Sequence, residues 1–418
     1  MERVISEIIN LAKSCNCGNQ HNAIPIETII VGKNVLGEAA AFLEKELFEK
    51  AVIIADEKTY RAAGEELTNH LMRTKVGSTV CLLQPDENDD VVADEKTVVQ
   101  ALLDTPQETD VIIAVGSGTI HDIARFTSTK MKIPFISVPT APSVDGFASM
   151  GAPLIVRGTK KTFQMRAPIA VFADLNVLMN APKKMIAAGF GDMLAKYTSL
   201  ADWQFGHLSA GEPYCPLVAD MTREALEVCV EKADNIAASD EEGIRILIEA
   251  LIKSGLAMLL FGQSHPASGG EHHLSHFWEM EFLRQNRPQV LHGAKVSVST
   301  ALLADIYGRD FLQLITDINQ LENRIKTTDE LKIVRNIREN LEEIKAIYET
   351  IPSAVKIREL VEKVGGETLP EQLGIDQTLL LRSLRDAHHL RNRYTALKFL
   401  NEFSKLDDQG GDWYYHSK

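Results

Sequence analysis

Val111-Ile112-Ile113-Ala114-Val115-Gly116-Ser117-Gly118-Thr119-Ile120-His121-Asp122 is the stretch that settles the fold class of this chain. Five apolar residues of β character run into two glycines one residue apart, and a helix-compatible stretch follows. That is the order of a strand-to-helix turn in a parallel sheet. Glycines at such a turn let the backbone approach a pyrophosphate, and the next helix offers free N–H groups and a positive dipole end. The third glycine of a GxGxxG fingerprint is missing, so a dinucleotide site and a tight turn that needs glycine for steric reasons alone stand level on these residues.

The same alternation continues on both sides of that turn. Apolar runs at Thr28-Ile29-Ile30-Val31, Ala51-Val52-Ile53-Ile54-Ala55, Thr79-Val80-Cys81-Leu82-Leu83, Phe135-Ile136-Ser137-Val138 and Ile169-Ala170-Val171-Phe172 are separated by helical stretches. They have the texture of strands buried on both faces. After Pro182 the β-branched runs thin out, and apolar residues recur at three and four positions, as in Ile244-Ile248-Leu251-Ile252. The expectation is an α/β Rossmann-like domain over residues 1–180, binding a dinucleotide, followed by an all-α domain over 181–418.

Chemistry-bearing residues gather at the ends of these runs. Asp56 follows the second strand, where a carboxylate can accept both adenosine ribose hydroxyls and repel a 2′-phosphate, favouring NAD over NADP; it is equally placed to cap a helix. Thr140-Ala141-Pro142-Ser143-Val144-Asp145-Gly146-Phe147-Ala148-Ser149 follows the fifth, and its hydroxyls and Asp145 suit cofactor and substrate or simply form a loop. His265, His272, His273, His276 and His292 place five of the 12 histidines within 28 residues, where an even spread would leave about one. His272 and His276, four apart, share a helix face, and either or both can address a common site. Asp192 is a candidate third ligand beside His292, with an i, i+4 ion pair to Lys196 as its plainer reading. Two imidazoles and a carboxylate would leave a divalent ion one open position for a substrate oxygen.

Composition narrows the partners. At 418 residues, 45% hydrophobic and 24% charged, the chain suits ordinary folded domains. Its 44 basic against 58 acidic residues give a net charge of −14, which argues against nucleic acid but leaves a locally bound small anion open. The longest apolar stretch, Leu256-Ala257-Met258-Leu259-Leu260-Phe261, is far short of the about 20 residues of a membrane span. The first residues lack a secretory apolar core, so a cytoplasmic location is expected. Five scattered cysteines read as reduced thiols. Cys15 and Cys17 with His21 make half a metal site at most; with no second cysteine pair nearby, they read as a partly exposed loop. The charged tail after about 310 reads as structural and helical, with Glu322, Lys326, Glu339, Glu342 and Lys345 on solvated faces, and Arg385, His388, His389, Arg391 and Arg393 as a solvated basic face.

These motifs, in this order, resemble the iron-containing alcohol dehydrogenase and dehydroquinate synthase superfamily. Within it, Gly270-Glu271-His272-His273-Leu274-Ser275-His276 is similar to the signature of the branch that handles sn-glycerol 1-phosphate. The resemblance implies that Gly116-Ser117-Gly118-Thr119-Ile120-His121-Asp122 is the pyrophosphate loop and Thr140-Ala141-Pro142-Ser143 the nicotinamide-side loop. It implies that Ser149 contacts cofactor and Asp145 substrate. Asp192, His272 and His292 then hold a divalent metal, zinc or nickel, with Asp192 also bordering the substrate and His276 serving substrate alone. The implied reaction is NAD(P)H-linked, metal-dependent reduction of dihydroxyacetone phosphate to sn-glycerol 1-phosphate, NADH preferred, by a homodimer. The competing readings are a polyol dehydrogenase acting on unphosphorylated glycerol and a dehydroquinate synthase-like lyase.

Overall fold

Each of the six apolar runs becomes a strand of one parallel sheet in the computed structural model, which describes residues 2–325 and 327–404. The strands are β1 (Thr28–Gly32), β2 (Lys50–Ala55), β3 (Gly77–Leu82), β4 (Val111–Gly116), β5 (Phe135–Pro139) and, after a hairpin, β8 (Ala170–Asp174). Their order is β1-β8-β5-β4-β2-β3, every pairing parallel. Alternate residues serve opposite faces. Ile53, Ile113, Ile136 and Phe172 meet the helix Leu36–Lys45 on one side, while Val52, Ile54, Ile112 and Ala114 meet the helix Gly118–Met131 on the other. β2 continues to β3 on one flank, and β4 then enters on the other, so the strand order reverses between β2 and β4. Open sheets bind ligands at the carboxyl ends of strands at that point.

Three strands differ from expectation. β3 is an edge: among its residues only Cys81 is buried, and Val80 and Leu82 are each 37% exposed. An antiparallel hairpin, β6 (Gly151–Val156) and β7 (Thr159–Gln164), falls where the sequence reading placed no strand. It turns at Arg157 and Gly158, both at positive φ (53° and 68°), the backbone a two-residue hairpin loop needs.

After β8 every described element is helical. The structure is therefore a Rossmann-like α/β half followed by an all-helical half. One apolar cluster joins them: Ile29 and Val171 of the sheet pack with Leu226 and Ile248 of the helices Pro216–Glu231 and Glu241–Phe261. The amino-terminal helix Glu2–Ser14 buries Ile5 and Ile8 in the same cluster. No helix among the described residues is long and apolar enough to cross a membrane. In the tail, Glu339 and Glu342 are exposed as expected and Lys345 is half-buried, whereas Lys326 and the side chain of Glu322 lie outside the described residues.

Candidate active site

A cavity of about 330 Å³ lies between the halves, with Ser117, Gly118 and Thr119 at one end and His272, His276 and His292 at the other. At the first end the steric reading of the glycines holds. A Cβ on Gly116 would meet Ile120 Cγ1 at 2.5 Å. Ser117 N-caps the helix Gly118–Met131 without a side-chain cap, which leaves first-turn N–H groups facing the cavity, the arrangement that receives a phosphate. Asp122, Ser143, Asp145 and Ser149 line it too. Ile120 and His121 point into the core instead. His121 Nδ1 lies 2.9 Å from the Ser117 carbonyl and Nε2 2.7 Å from Ser137 Oγ, and burial pulls its pKa down to about 3. Thr140, Ala141 and Pro142 shape the turn beneath: the Thr140 N–H donates to the Gly116 carbonyl at 3.0 Å. Asp56 makes a capping box with Thr59, its Oδ1 accepting the Thr59 N–H at 2.7 Å, and stands outside the cavity.

Three helices build the other end. Asp192 lies on Lys183–Leu194, His272 and His276 lie on Gly270–Arg284, and His292 opens His292–Ile306. Their backbones meet because glycines remove the side chains between them: a Cβ on Gly293 would lie 1.8 Å from the Ala188 carbonyl oxygen. Ligand atoms of Asp192, His272 and His292 consequently all fall within 4.8 Å of one another. His276, Glu279 and His292 form a second such group.

Hydrogen bonds separate the two imidazoles of the i, i+4 pair. His272 Nδ1 donates to Glu271 Oε1 at 2.8 Å, so its Nε2 keeps a lone pair, 3.8 Å from Asp192 Oδ1. Such a carboxylate behind a ligating imidazole fixes its tautomer. His276 Nδ1 instead accepts from Arg391 Nη2 at 3.2 Å, which puts the proton on Nε2 and makes that atom a donor. Glu279 is engaged by Lys160 at 2.7 and 2.8 Å and by Lys295 at 3.2 Å. The donor set with free lone pairs is Asp192, His272 and His292.

The charges fit a divalent cation at that set. Lys196 Nζ lies 2.7 Å from Asp145 Oδ2 and 3.2 Å from Asp192 Oδ1, so the plain i, i+4 ion pair exists alongside the ligand cluster. Asp192 also accepts the Asp145 N–H at 3.0 Å. Burial, and then the Asp145 charge, push the Asp192 carboxyl up to about 7 against the pull of Lys196. Burial lowers the Lys196 ammonium, but Asp145 and Asp192 outweigh it and hold the pKa above its usual range. Burial keeps His272, His276 and His292 well below the ordinary imidazole range, hence neutral. One buried ammonium thus faces two carboxylates, with the Glu271 carboxyl behind them, an excess of negative charge that a cation would balance.

The structure corrects the reading of the tail. Arg391 lines the cavity, its Nη1 donating to Ser268 Oγ at 2.9 Å, and Arg393 Nη2 donates to Ser264 Oγ at 2.7 Å. Burial pulls Arg391 down to about 10 and Arg393 to about 9, still charged at neutral pH. The 3-10 turn Ala387–Leu390 folds back onto the His272 helix and carries both arginines with it. His388 is buried with that turn and does not line the cavity, while Arg385 and His389 are exposed, as read. Sequence reasoning missed Lys160, Lys295 and Glu279, which carry no local signal, and gave Glu271 no role of its own. Lys196 it read through its spacing to Asp192, but not its bond to Asp145.

Comparison with known proteins agrees with this architecture. A family model described as iron-containing alcohol dehydrogenase matches residues 30–182. The chain is 56% identical over 403 residues to glycerol-1-phosphate dehydrogenase [NAD(P)+] of Geobacillus stearothermophilus, covering 96% of this chain and 99% of that one. It is 46% identical over 407 residues to the enzyme of the same name from Bacillus licheniformis, covering 97% and 96%. Among solved structures, glycerol dehydrogenase from Schizosaccharomyces pombe superposes with a TM-score of 0.62 at 16% identity over 96% of this chain and 93% of that one, a likeness of fold.

Proposed function

The chain belongs to the glycerol-1-phosphate dehydrogenase family, and from that premise we propose that it catalyses the reversible, NAD(P)H-linked, metal-dependent reduction of dihydroxyacetone phosphate to sn-glycerol 1-phosphate. The observation that carries the reading is the cavity that joins an open helix N-terminus to His272 and His292, with Asp192 buried within ligand distance of both, and, beside them, to Lys160, Lys295 and Arg391. Three cations against the one carboxylate of Glu279 leave two positive charges, the match for a phosphate dianion.

The nicotinamide supplies the reducing equivalent and a divalent ion the polarisation of the carbonyl. The chain's own residues bind, orient and stabilise. Ser117, Gly118, Thr119 and Asp122, with Ser143 and Ser149, face the dinucleotide over a turn shaped by Gly116, Ile120, His121, Thr140, Ala141 and Pro142. Asp192, His272 and His292 hold the metal, nickel or zinc. His276 Nε2–H donates to the substrate oxygen, which gains charge as the carbonyl is reduced. Lys196 fixes Asp145 at the substrate edge. Lys160, Lys295 and Arg391 take the phosphate, so hydride reaches one face of an immobilised carbonyl. Asp56, just past the carboxyl end of β2, would repel an adenosine 2′-phosphate, which favours NADH. The dinucleotide domain spans 1–180 and the metal- and substrate-binding domain 181–418, in a cytoplasmic homodimer.

The test is oxidation of NADH and of NADPH by dihydroxyacetone phosphate, dihydroxyacetone and glyceraldehyde 3-phosphate, with elemental analysis of the same sample. Turnover should be fastest with dihydroxyacetone phosphate and NADH. Buried cations left unpaired penalise the unphosphorylated ketone by orders of magnitude. The product should be inert to an sn-glycerol-3-phosphate-specific dehydrogenase; ready oxidation by that enzyme, or equal turnover of dihydroxyacetone, sinks the reading.

A further inference from the structure

The two cysteines and the histidine of the amino-terminal arm, read from sequence as half a site, meet their missing partner in the fold. Cys215 lies about 200 positions away and caps the helix Pro216–Glu231, yet its Sγ is 3.7 Å from Cys15 Sγ and 3.3 Å from His21 Nε2. Cys17 Sγ is 3.7 Å from the same His21 Nε2. All four donor atoms lie within 4.8 Å of one another. A tetrahedron with metal–sulfur bonds of about 2.3 Å has edges of about 3.8 Å, and imidazole corners shorten them slightly. The three separations of 3.7, 3.3 and 3.7 Å match those edges. They are far too long for a disulfide, whose sulfurs lie about 2.05 Å apart.

We propose that Cys15, Cys17, His21 and Cys215 form a structural Cys3His zinc site, distinct from the Asp192–His272–His292 cluster. Zinc binding releases the thiol protons to solvent and leaves three thiolates and a neutral imidazole around a dication, a site of net charge −1. N–H donors surround those sulfurs. Asn19 Nδ2 lies 3.4 Å from Cys17 Sγ and also donates to the Tyr214 carbonyl at 2.7 Å, and the Val218 N–H in the first turn after Cys215 faces that sulfur. Gly18, at φ +78°, turns the chain so that Cys17 and His21 face the same point. Four protein donors leave no open position, as in zinc sites that build structure rather than catalyse. The work of such a site follows from its place. Cys15 directly follows the helix Glu2–Ser14, whose Ile5 and Ile8 lie in the apolar cluster with Val218 and Leu226, so the ion would staple the arm to the helical half.

Elemental analysis of the purified full chain grown with zinc, and ultraviolet–visible spectra after exchange into cobalt(II), test this. Wild type should carry two metal equivalents per chain and show an intense near-ultraviolet thiolate-to-cobalt charge-transfer band. Cys17→Ser, at a half-buried position and so less disruptive than a change at Cys215, should keep one equivalent, lose most of that band, lower Tm and leave turnover with dihydroxyacetone phosphate within about two-fold. His272→Ala should also keep one equivalent but retain the band. A wild type with one equivalent and no band overturns the proposal, as does a band undiminished in both Cys17→Ser and Cys215→Ser. So does a non-reducing mass spectrum showing a Cys15–Cys215 disulfide. Failure of this site would leave the catalytic reading intact, because the His272→Ala result is scored separately.

Discussion

Two imidazoles four residues apart on one helix have different chemistry because opposite groups hold their Nδ1 atoms, a carboxylate at His272 and a guanidinium at His276. His272→Ala and His292→Ala should therefore lose the active-site metal and at least roughly 10²–10³-fold in kcat/KM. His276→Ala should keep the metal and lose roughly 10–100-fold. Metal content equally low in all three would merge the roles. A second residue-scale expectation concerns His121, neutral and buried against Ser137. Its folded pKa, about 3, lies below the unfolded value near 6.5, so its stabilisation is present above about pH 6.5 and is lost as pH falls toward 3, by about 2 kcal/mol at pH 5. Denaturant midpoints between pH 7 and 5 should fall less in His121→Gln than in wild type; parallel slopes would remove His121 from the acid limb. The histidine cluster was legible because it is a local excess in composition. Arg391, Lys160 and Cys215 were not, since each becomes meaningful only beside residues more than a hundred positions away.

Strands were the most legible elements, because burial on both faces writes near-continuous apolar runs, and β4 between two neighbours is buried throughout. The hairpin was not, for Lys160 and Lys161 interrupt its second strand and only the Arg157-Gly158 turn marks it. That blind spot matters, since the hairpin carries Lys160 to Glu279. The glycines at the helix crossings were legible as residues but not as contacts. Gly293→Ala forces a methyl against the Ala188 carbonyl and must displace the start of the His292 helix. Overpacking of this kind costs about 1–3 kcal/mol, and here it also moves a ligand. The expected result is a lower denaturant midpoint and weaker metal binding in titration. Gly308→Ala, in a helical turn with nothing within 4 Å of its added Cβ, serves as the control that should lower neither. Wild-type metal affinity in Gly293→Ala would mean that the two helices are not held in register by this contact.

Across the whole molecule, polar ties join the two halves both at the cavity and away from it. Lys160 reaches Glu279, Lys196 reaches Asp145, Ser254 Oγ donates to Asp145 Oδ2 at 2.8 Å, and Arg245 Nη1 donates to the Val31 carbonyl at 2.8 Å. The apolar cluster that includes both Ile29 and Ile248 joins the halves as well. A ligand that binds at the cavity stabilises the arrangement of both halves rather than one of them. At a free metal concentration of 100 times Kd the linkage is worth about 2.7 kcal/mol. At about 2.1 cal/mol/K per residue of unfolding entropy, that corresponds to a shift of about 3 °C for a chain of 418 residues. Calorimetry of wild type with and without excess metal should therefore show one cooperative transition displaced as a unit, and His292→Ala should show the lower midpoint with no response from the active-site metal. Two transitions, of which only one moves, would mean that the α/β and helical halves melt separately and that the cavity contacts do not couple them.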